Sequence, residues 1–278
     1  MKMDVAIMTR NSARFLPSCL KAACDGVDIN RLIIVDGGSQ DQTLEIAEAW
    51  NAEIHHDEGG GLGRARRIAI KQVETPLFAF IDSDVEIPAG WTATMLSHAP
   101  EGFGAVESLP INVPMRGEEK VTATHNRATI TRYKKITSLK DRTSRGFTGA
   151  TILQTDLLKD IIIPDLPCCE DWVITQHILA KGYAWYKLPV PVKHHDRYSQ
   201  RPDRVRQTHA VGRTLGFMTL PWLMKKTTTA LLGRLVVSIV TRNPEYLTHR
   251  LRYTRDSFEG FLHPQRYLDL PYPGWEAA

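Results

Sequence analysis

Two carboxylates one residue apart, Asp82 and Asp84, close the apolar run Phe78-Ala79-Phe80-Ile81. Hard oxygen ligands at that spacing suit Mg²⁺ or Mn²⁺, and such an ion commonly takes diphosphate oxygens as further ligands. The run is short and apolar and follows the breaker Thr75-Pro76. It therefore reads as a buried strand with both acids at its C-terminal tip. In open α/β sheets that edge is where ligands bind. A solvated Asp-Ser-Asp turn would need no ligand, so the weight of the pair depends on its company along the chain.

Four other constellations supply that company. Val35-Asp36-Gly37-Gly38-Ser39-x-Asp41-x-Thr43 follows a second apolar run. Its glycines permit close backbone approach to a ligand, and Asp36 could accept from a nucleobase edge or a ribose. Asp41 or Thr43 is also a good cap for the helix that follows. Gly59 to Arg67 carries glycines whose spacing departs from the dinucleotide fingerprint. A helix start with Arg64, Arg66 and Arg67 can nonetheless hold a diphosphate. Glu170-Asp171 opens a helix, where acids are favoured electrostatically and where one could act as a general base. His194 and His195 offer a nitrogen ligand to a manganese site.

These groups need a scaffold. Met3–Thr9, Arg31–Val35, Ala52–His56, the run before Asp82, and Gly104–Leu109 read as strands, separated by helical patterns. The alternation predicts a mainly parallel sheet with helices on both faces. Glu118–Lys135 reads as a basic helix, Phe147–Leu153 as a strand, and Cys168 to Ala180 as a helix closed by Lys181-Gly182. Ala184–Leu188 reads as a strand, with Val192–Asp196 as a separate segment beyond two prolines. Alternation then stops. Arg204–Phe217, Pro221–Val240 and Pro244–Phe261 read as three helices, with a boundary near Arg201. We expect a catalytic α/β domain over 1–200 and a basic amphipathic helical region over 201–278.

The 278 residues carry a net charge of +4, too mild for a dedicated nucleic-acid binder. The excess is local: Arg197 to Arg255 holds twelve cations against Asp203 and Glu245, a net of +10, so the remainder is −6. That asymmetry suggests an anionic partner for the C-terminal part. Together with Trp222 and the leucines around it, the cations fit an interfacial surface on anionic lipid, or a helical cap or dimer interface. Cys19, Cys24, Cys168 and Cys169 form neither a disulfide framework nor a zinc pattern. Free thiols, and a start that meets charge too early for a signal peptide, point to a reducing cytoplasm.

Taken in order, the motifs resemble those of the family 2 glycosyltransferases, with the GT-A fold, over Asp4 to about Asp196. The resemblance rests on Thr9-Arg10-Asn11, the Asp36 loop, Gly63-x-Ala65-Arg66, Asp82-Ser83-Asp84, Gly149-Ala150-Thr151, Glu170-Asp171, Gly182-Tyr183 and His194. It implies that Thr9, Asn11 and Asp36 line the nucleotide pocket, that Arg66 approaches the diphosphate, and that Asp82 faces the ribose or sugar. It implies Asp84, with Asp82 and His194 or its neighbour His195, at a Mn²⁺ or Mg²⁺ ion, and Gly149-Ala150 at the donor sugar. Asp171, beside Glu170, would be the general base. Met8, Arg67 and Cys168-Cys169 depart from the family's usual residues.

The implied reaction is a single displacement with inversion, from a nucleoside-diphosphate sugar to a glycan or lipid-linked acceptor. Asp36 can bond uracil or guanine, so UDP- and GDP-sugars both satisfy it, and any oligomeric state is compatible with the pattern. A nucleotidyltransferase would share the acid pair and phosphate loop but would have no need of Glu170-Asp171. A non-catalytic nucleotide-sugar-binding membrane scaffold would not need all three acids intact.

Overall fold

The computed structural model describes residues 1–113, 122–123, 126–127, 129–130, 146–195, 202–242 and 244–268. Most of the helix expected over Glu118–Lys135, and the boundary expected near Arg201, lie outside them. Backbone contacts divide the chain into two units, one comprising Met1–Asp165 and Glu170–Asp196, the other Leu166–Cys169 and Arg197–Pro273.

The first unit is built on an eight-stranded sheet. In chain order its described elements are β1 (Met3–Thr9), α1 (Leu16–Gly26), β2 (Ile29–Asp36), α2 (Thr43–Ala49), β3 (Glu53–His56), α3 (Gly61–Gln72), β4 (Leu77–Ile81), β5 (Val85–Glu86) and α4 (Trp91–His98). β6 (Phe103–Asn112), β7 (Ala150–Gln154), α5 (Glu170–Ala180) and β8 (Ala184–His194) complete it. The strand order is β3-β2-β1-β4-β7-β6-β8-β5. β1, β2, β3 and β4 are mutually parallel, β6 pairs parallel with β8, and β7 and β5 run against their neighbours. The sheet is thus mixed but mostly parallel, as the βα alternation predicts.

Strand periodicity explains the layering. Met3, Val5 and Ile7 of β1, with Ala79 and Ile81 of β4, point to one face, where Leu16, Leu20, Trp91 and Met95 of α1 and α4 cover them. Ala6 and Met8, with Phe78 and Phe80, point to the other, under Ala65, Ala69 and Ile70 of α3 and Ile174 and Ile178 of α5. A strand covered on both faces is apolar along most of its length, which is why Val5–Met8 and Leu77–Ile81 lack the alternation of a half-exposed strand.

One expectation changes. Ala184–His194 is a single strand running through Pro189 and Pro191, where two segments were expected. Leu188, Val190 and Val192 face the core while both prolines and Lys193 are exposed. The register with β6 slips between Glu107 and Leu109, whose partners are Lys187 and Pro191. The irregularity takes residues 188–190 out of the ladder, and a bulge is where a strand tolerates proline. The continuous strand carries His194 to the Asp84 side of the sheet. Smaller differences concern ends: α1 begins at Leu16 and not Ala13, and β7 at Ala150 and not Phe147.

The second unit contains α6 (Pro202–Thr214), α7 (Leu220–Thr241), α8 (Glu245–Leu262) and the short α9 (Gln265–Leu268). Its core is Met218, Leu223 and Phe261 with Phe217, Trp222 and Phe258 packed around them. Gly260 on α8 lies against the Arg206 carbonyl of α6, where a Cβ would not fit. Asp256, buried, pairs with Arg206 at 2.9 Å and Arg255 at 3.0 Å.

Candidate active site

The site forms where β1, β2 and β4 end together. Thr9 and Asp36 are register partners at the tips of β1 and β2, and the Thr9 hydroxyl donates to Asp36 Oδ1 at 2.9 Å. Asp36 Oδ1 also takes the Ser39 hydroxyl at 2.5 Å, and its Oδ2 takes the backbone N–H groups of Gly38 and Ser39 at 2.9 and 2.8 Å. Four donors match the roughly four acceptor positions of a carboxylate. Asp36 is fully buried and here braces its own loop. Asn11, left-handed at φ 48°, ties the same loop down: its N–H donates to Ser39 Oγ at 2.8 Å and its Oδ1 accepts from Gln40 N–H at 2.8 Å. Ser12 joins this cluster to the next through its N–H to Thr43 Oγ1 at 2.7 Å and its hydroxyl against that of Ser83 at 2.9 Å. The side chain of Asp41 accepts from Thr43 N–H at 3.1 Å.

After β4 the backbone turns, with Val85 N–H donating to Asp82 carbonyl at 2.9 Å and Asp82 N–H to Gly149 carbonyl at 2.8 Å. Ala150, the next residue, pairs with Ile81. The turn sets Asp82 and Asp84 beside His194. One ligand atom from each lies within 4.8 Å of the others, close to the span of about 4.2 Å between opposite ligands of a Mg²⁺ ion. His194 Nε2 is 3.6 Å from Asp84 Oδ2. Two carboxylates and an imidazole suit Mn²⁺ in particular, and Mg²⁺ through the oxygens. His195 points elsewhere: its ring stacks on Phe15 at 4.9 Å and its Nε2 lies 2.8 Å from Glu86 Oε1. Of the two adjacent histidines, His194 is the one that belongs to the acid cluster.

The three arginines of the Gly59–Arg67 segment diverge. Arg64 pairs with Glu58 at 2.8 Å, and Arg67 with Asp165 at 2.6 Å. Arg66 turns inward and is 1% exposed. Its guanidinium stacks over the Phe80 ring at 4.3 Å, its Nη2 is 2.6 Å from Asp82 Oδ1, and its Nε is 3.5 Å from Glu170 Oε1. Its Nη1 is buried without a hydrogen-bond partner. Arg66 thus lies between the metal-side acid and the first acid of α5. Burial pushes the Glu170 carboxyl up to about 7; Arg66 opposes that rise, while the Asp171 and Asp82 carboxylates add to it. Asp171, half-buried in the first turn of α5, accepts the Trp172 N–H at 2.7 Å.

Glu107 escaped the sequence reading. It is fully buried on β6 and accepts from Phe147 N–H and Trp185 Nε1–H, each at 2.7 Å, and from Lys187. This anchors the loop before Gly149, whose Phe147 ring lies 5.6 Å from that of His194. A signal existed: the one acid of an apolar strand and Lys187, the one base of the run Ala184–Leu188, which pair in register. Recognising it requires the strand order.

A mostly parallel sheet with an acid pair at a strand tip, a histidine beside it and a buried arginine behind it defines a GT-A-type glycosyltransferase fold. The family model for glycosyl transferase family 2 matches residues 4–161, more than half of the chain, and the chain belongs to that family. Poly(ribitol-phosphate) beta-N-acetylglucosaminyltransferase TarS of Staphylococcus aureus is 27% identical over 63% of this chain and 32% of its own length. A teichoic acid poly(glycerol phosphate) polymerase of Staphylococcus epidermidis is 33% identical over 31% of this chain and 13% of its own. The chain therefore spans about a third or less of these relatives. The crystal structure of S. aureus TarS 1-349 with UDP-GlcNAc superposes with a TM-score of 0.57 at 18% identity, covering 96% of this chain and 92% of that one. At that identity the likeness establishes the fold.

Proposed function

We propose that this chain is an inverting, metal-dependent glycosyltransferase that moves a sugar from a UDP-linked donor to a hydroxyl of a glycan, polymer or lipid-linked acceptor. The observation that carries the reading is the assembly at one sheet edge of Asp82, Asp84 and His194 with Arg66 and Glu170 directly behind them. UDP is favoured over GDP because similar folds were crystallised as TarS with UDP and with UDP-GlcNAc. Residues 1–200 form the catalytic part in this reading.

Thr9, Asn11 and the Asp36 loop border the nucleotide, with Asp36 acting through the loop it braces. Asp82, Asp84 and His194 hold Mn²⁺ or Mg²⁺, which when bound neutralises the diphosphate and makes it a better leaving group. Arg66 holds the Asp82 carboxylate in place through its Nη2 contact at 2.6 Å, and its unpartnered Nη1 gives the site a further donor for an anion. Gly149 and Ala150 present backbone to the sugar. Asp171 takes the proton of the acceptor hydroxyl as its oxygen attacks the anomeric carbon opposite the departing UDP. Glu170 fixes Arg66 and the first turn of α5.

Asp171→Asn tests this assignment. Loss of a general base is expected to slow transfer by about 10²–10⁴-fold while UDP binding stays within a factor of about three. Transfer at the wild-type rate would remove Asp171 from the role. Pyrophosphate as the released product would replace the proposal with nucleotidyl transfer.

A further inference from the structure

The second half of α7 inverts the usual arrangement of a surface helix. Leu232, Leu235, Val236, Ile239 and Val240 recur at i, i+3, i+4, i+7 and i+8, the spacing of a core-facing stripe, yet each is between 41% and 77% exposed. Leu220 and Met224 extend the exposed apolar arc toward the start of the helix. The inward side is instead the one that carries Leu223 and Thr227, both buried. Contiguous exposed apolar surface of this kind marks an interaction site.

Charge selects the occupant. α7 contains no acid, and Lys225, Lys226 and Arg234 lie along it. From Leu220 to Arg252 the chain holds six cations against Glu245 alone, a net of +5. Two copies meeting through this face would set the exposed Lys225 and Lys226 of each against those of the other, whereas an anionic lipid surface complements both the apolar stripe and these lysines. Among the described residues no helix is long and apolar enough to cross a membrane, so the stripe fits a helix lying along a surface. Lys226 over the Trp222 ring at 4.4 Å adds an aromatic of the kind that sits at headgroup level.

We infer that the α7 face docks this protein on anionic lipid bilayers, with Leu232, Leu235, Val236, Ile239 and Val240 entering the acyl boundary and the basic flanks facing headgroups. This inference is independent of the donor and of the general base.

The test is co-sedimentation of the full chain with vesicles of 30% phosphatidylglycerol in phosphatidylcholine and with pure phosphatidylcholine, at low and high salt. Expected is at least tenfold stronger partitioning to the anionic vesicles, reduced by salt. The quadruple variant Leu232→Ser, Val236→Ser, Ile239→Ser and Val240→Ser should lose tenfold or more while keeping its circular dichroism and UDP binding. Lys225→Gln with Lys226→Gln should weaken anionic binding and leave neutral binding unchanged. Equal partitioning to both vesicles, or none to either, would overturn the inference. So would a wild-type oligomer in sedimentation velocity that the quadruple variant dissolves, because the stripe would then belong to another copy.

Discussion

Replacing Glu170 by glutamine should make the protein more stable, and increasingly so as pH rises. Glu170 is 4% exposed, and burial holds its carboxyl at about 7 against an ordinary 4.5, even with Arg66 alongside. Below the lower value both folded and unfolded chains hold the proton. Between the two values the folded chain retains a proton that the unfolded chain has released, so stability falls with rising pH. Above the upper value the penalty is complete. At 1.36 kcal/mol per tenfold change in proton affinity, the interval from 4.5 to about 7 corresponds to about 3 kcal/mol. Glutamine is nearly isosteric with the protonated acid and carries no such penalty. Glu170→Gln should therefore match wild type near pH 4.5 and exceed it by about 3 kcal/mol at pH 8, a rise of roughly 5–10 °C in Tm. The assay is thermal unfolding from pH 4.5 to 8 with chelator present, since a cation on Asp82 would change the field at Glu170. A gap that does not vary with pH, or a variant less stable than wild type at pH 8, would refute the reasoning.

Other outcomes follow from the same geometry. Asp84→Asn should weaken Mn²⁺ binding by at least about 100-fold, measured by calorimetry, with the fold intact by circular dichroism. A Cβ at Gly149 would lie 2.6 Å from Asp82 Oδ2 and closer still to the Phe147 ring, so Gly149→Ala should displace Asp82. Its expected cost is about 1–3 kcal/mol of stability, with weaker metal binding than wild type in the same titration. Glu107→Gln leaves Lys187 facing a neutral amide in a buried setting. Loss of one partner should cost about 3–5 kcal/mol in urea unfolding.

The alternation of strands and helices was legible because β1 and β4 are covered on both faces, so Val5–Met8 and Leu77–Ile81 read as unbroken apolar runs. Asp82-Ser83-Asp84 was legible because charge ending such a run must sit at a strand tip. The merger of Ala184–Leu188 with the following segment was not: Pro189 and Pro191 signal a break, yet the register slip against β6 takes Pro189 out of the ladder and the strand resumes at Pro191. Arg66 could be singled out as the residue after Gly63-x-Ala65, but its inward path between Asp82 and Glu170 depends on the stacking of α3 beside Phe80. The same holds for Asp36. Its position at a strand tip suggested an open acceptor, and the donors that fill it come from Thr9, Gly38 and Ser39, whose placement is tertiary. The choice of His194 over His195 rests on strand parity, which needs the end of β8 and the partner Glu86.

The measurement that bears most directly on the central claim is calorimetric binding of UDP, GDP and their sugar conjugates, each with Mn²⁺ and with chelator. The account predicts that UDP and a UDP-sugar bind with Mn²⁺, lose most of their affinity with chelator, and bind more tightly than the GDP compounds. No binding of any diphosphate to the folded protein with metal present would contradict it.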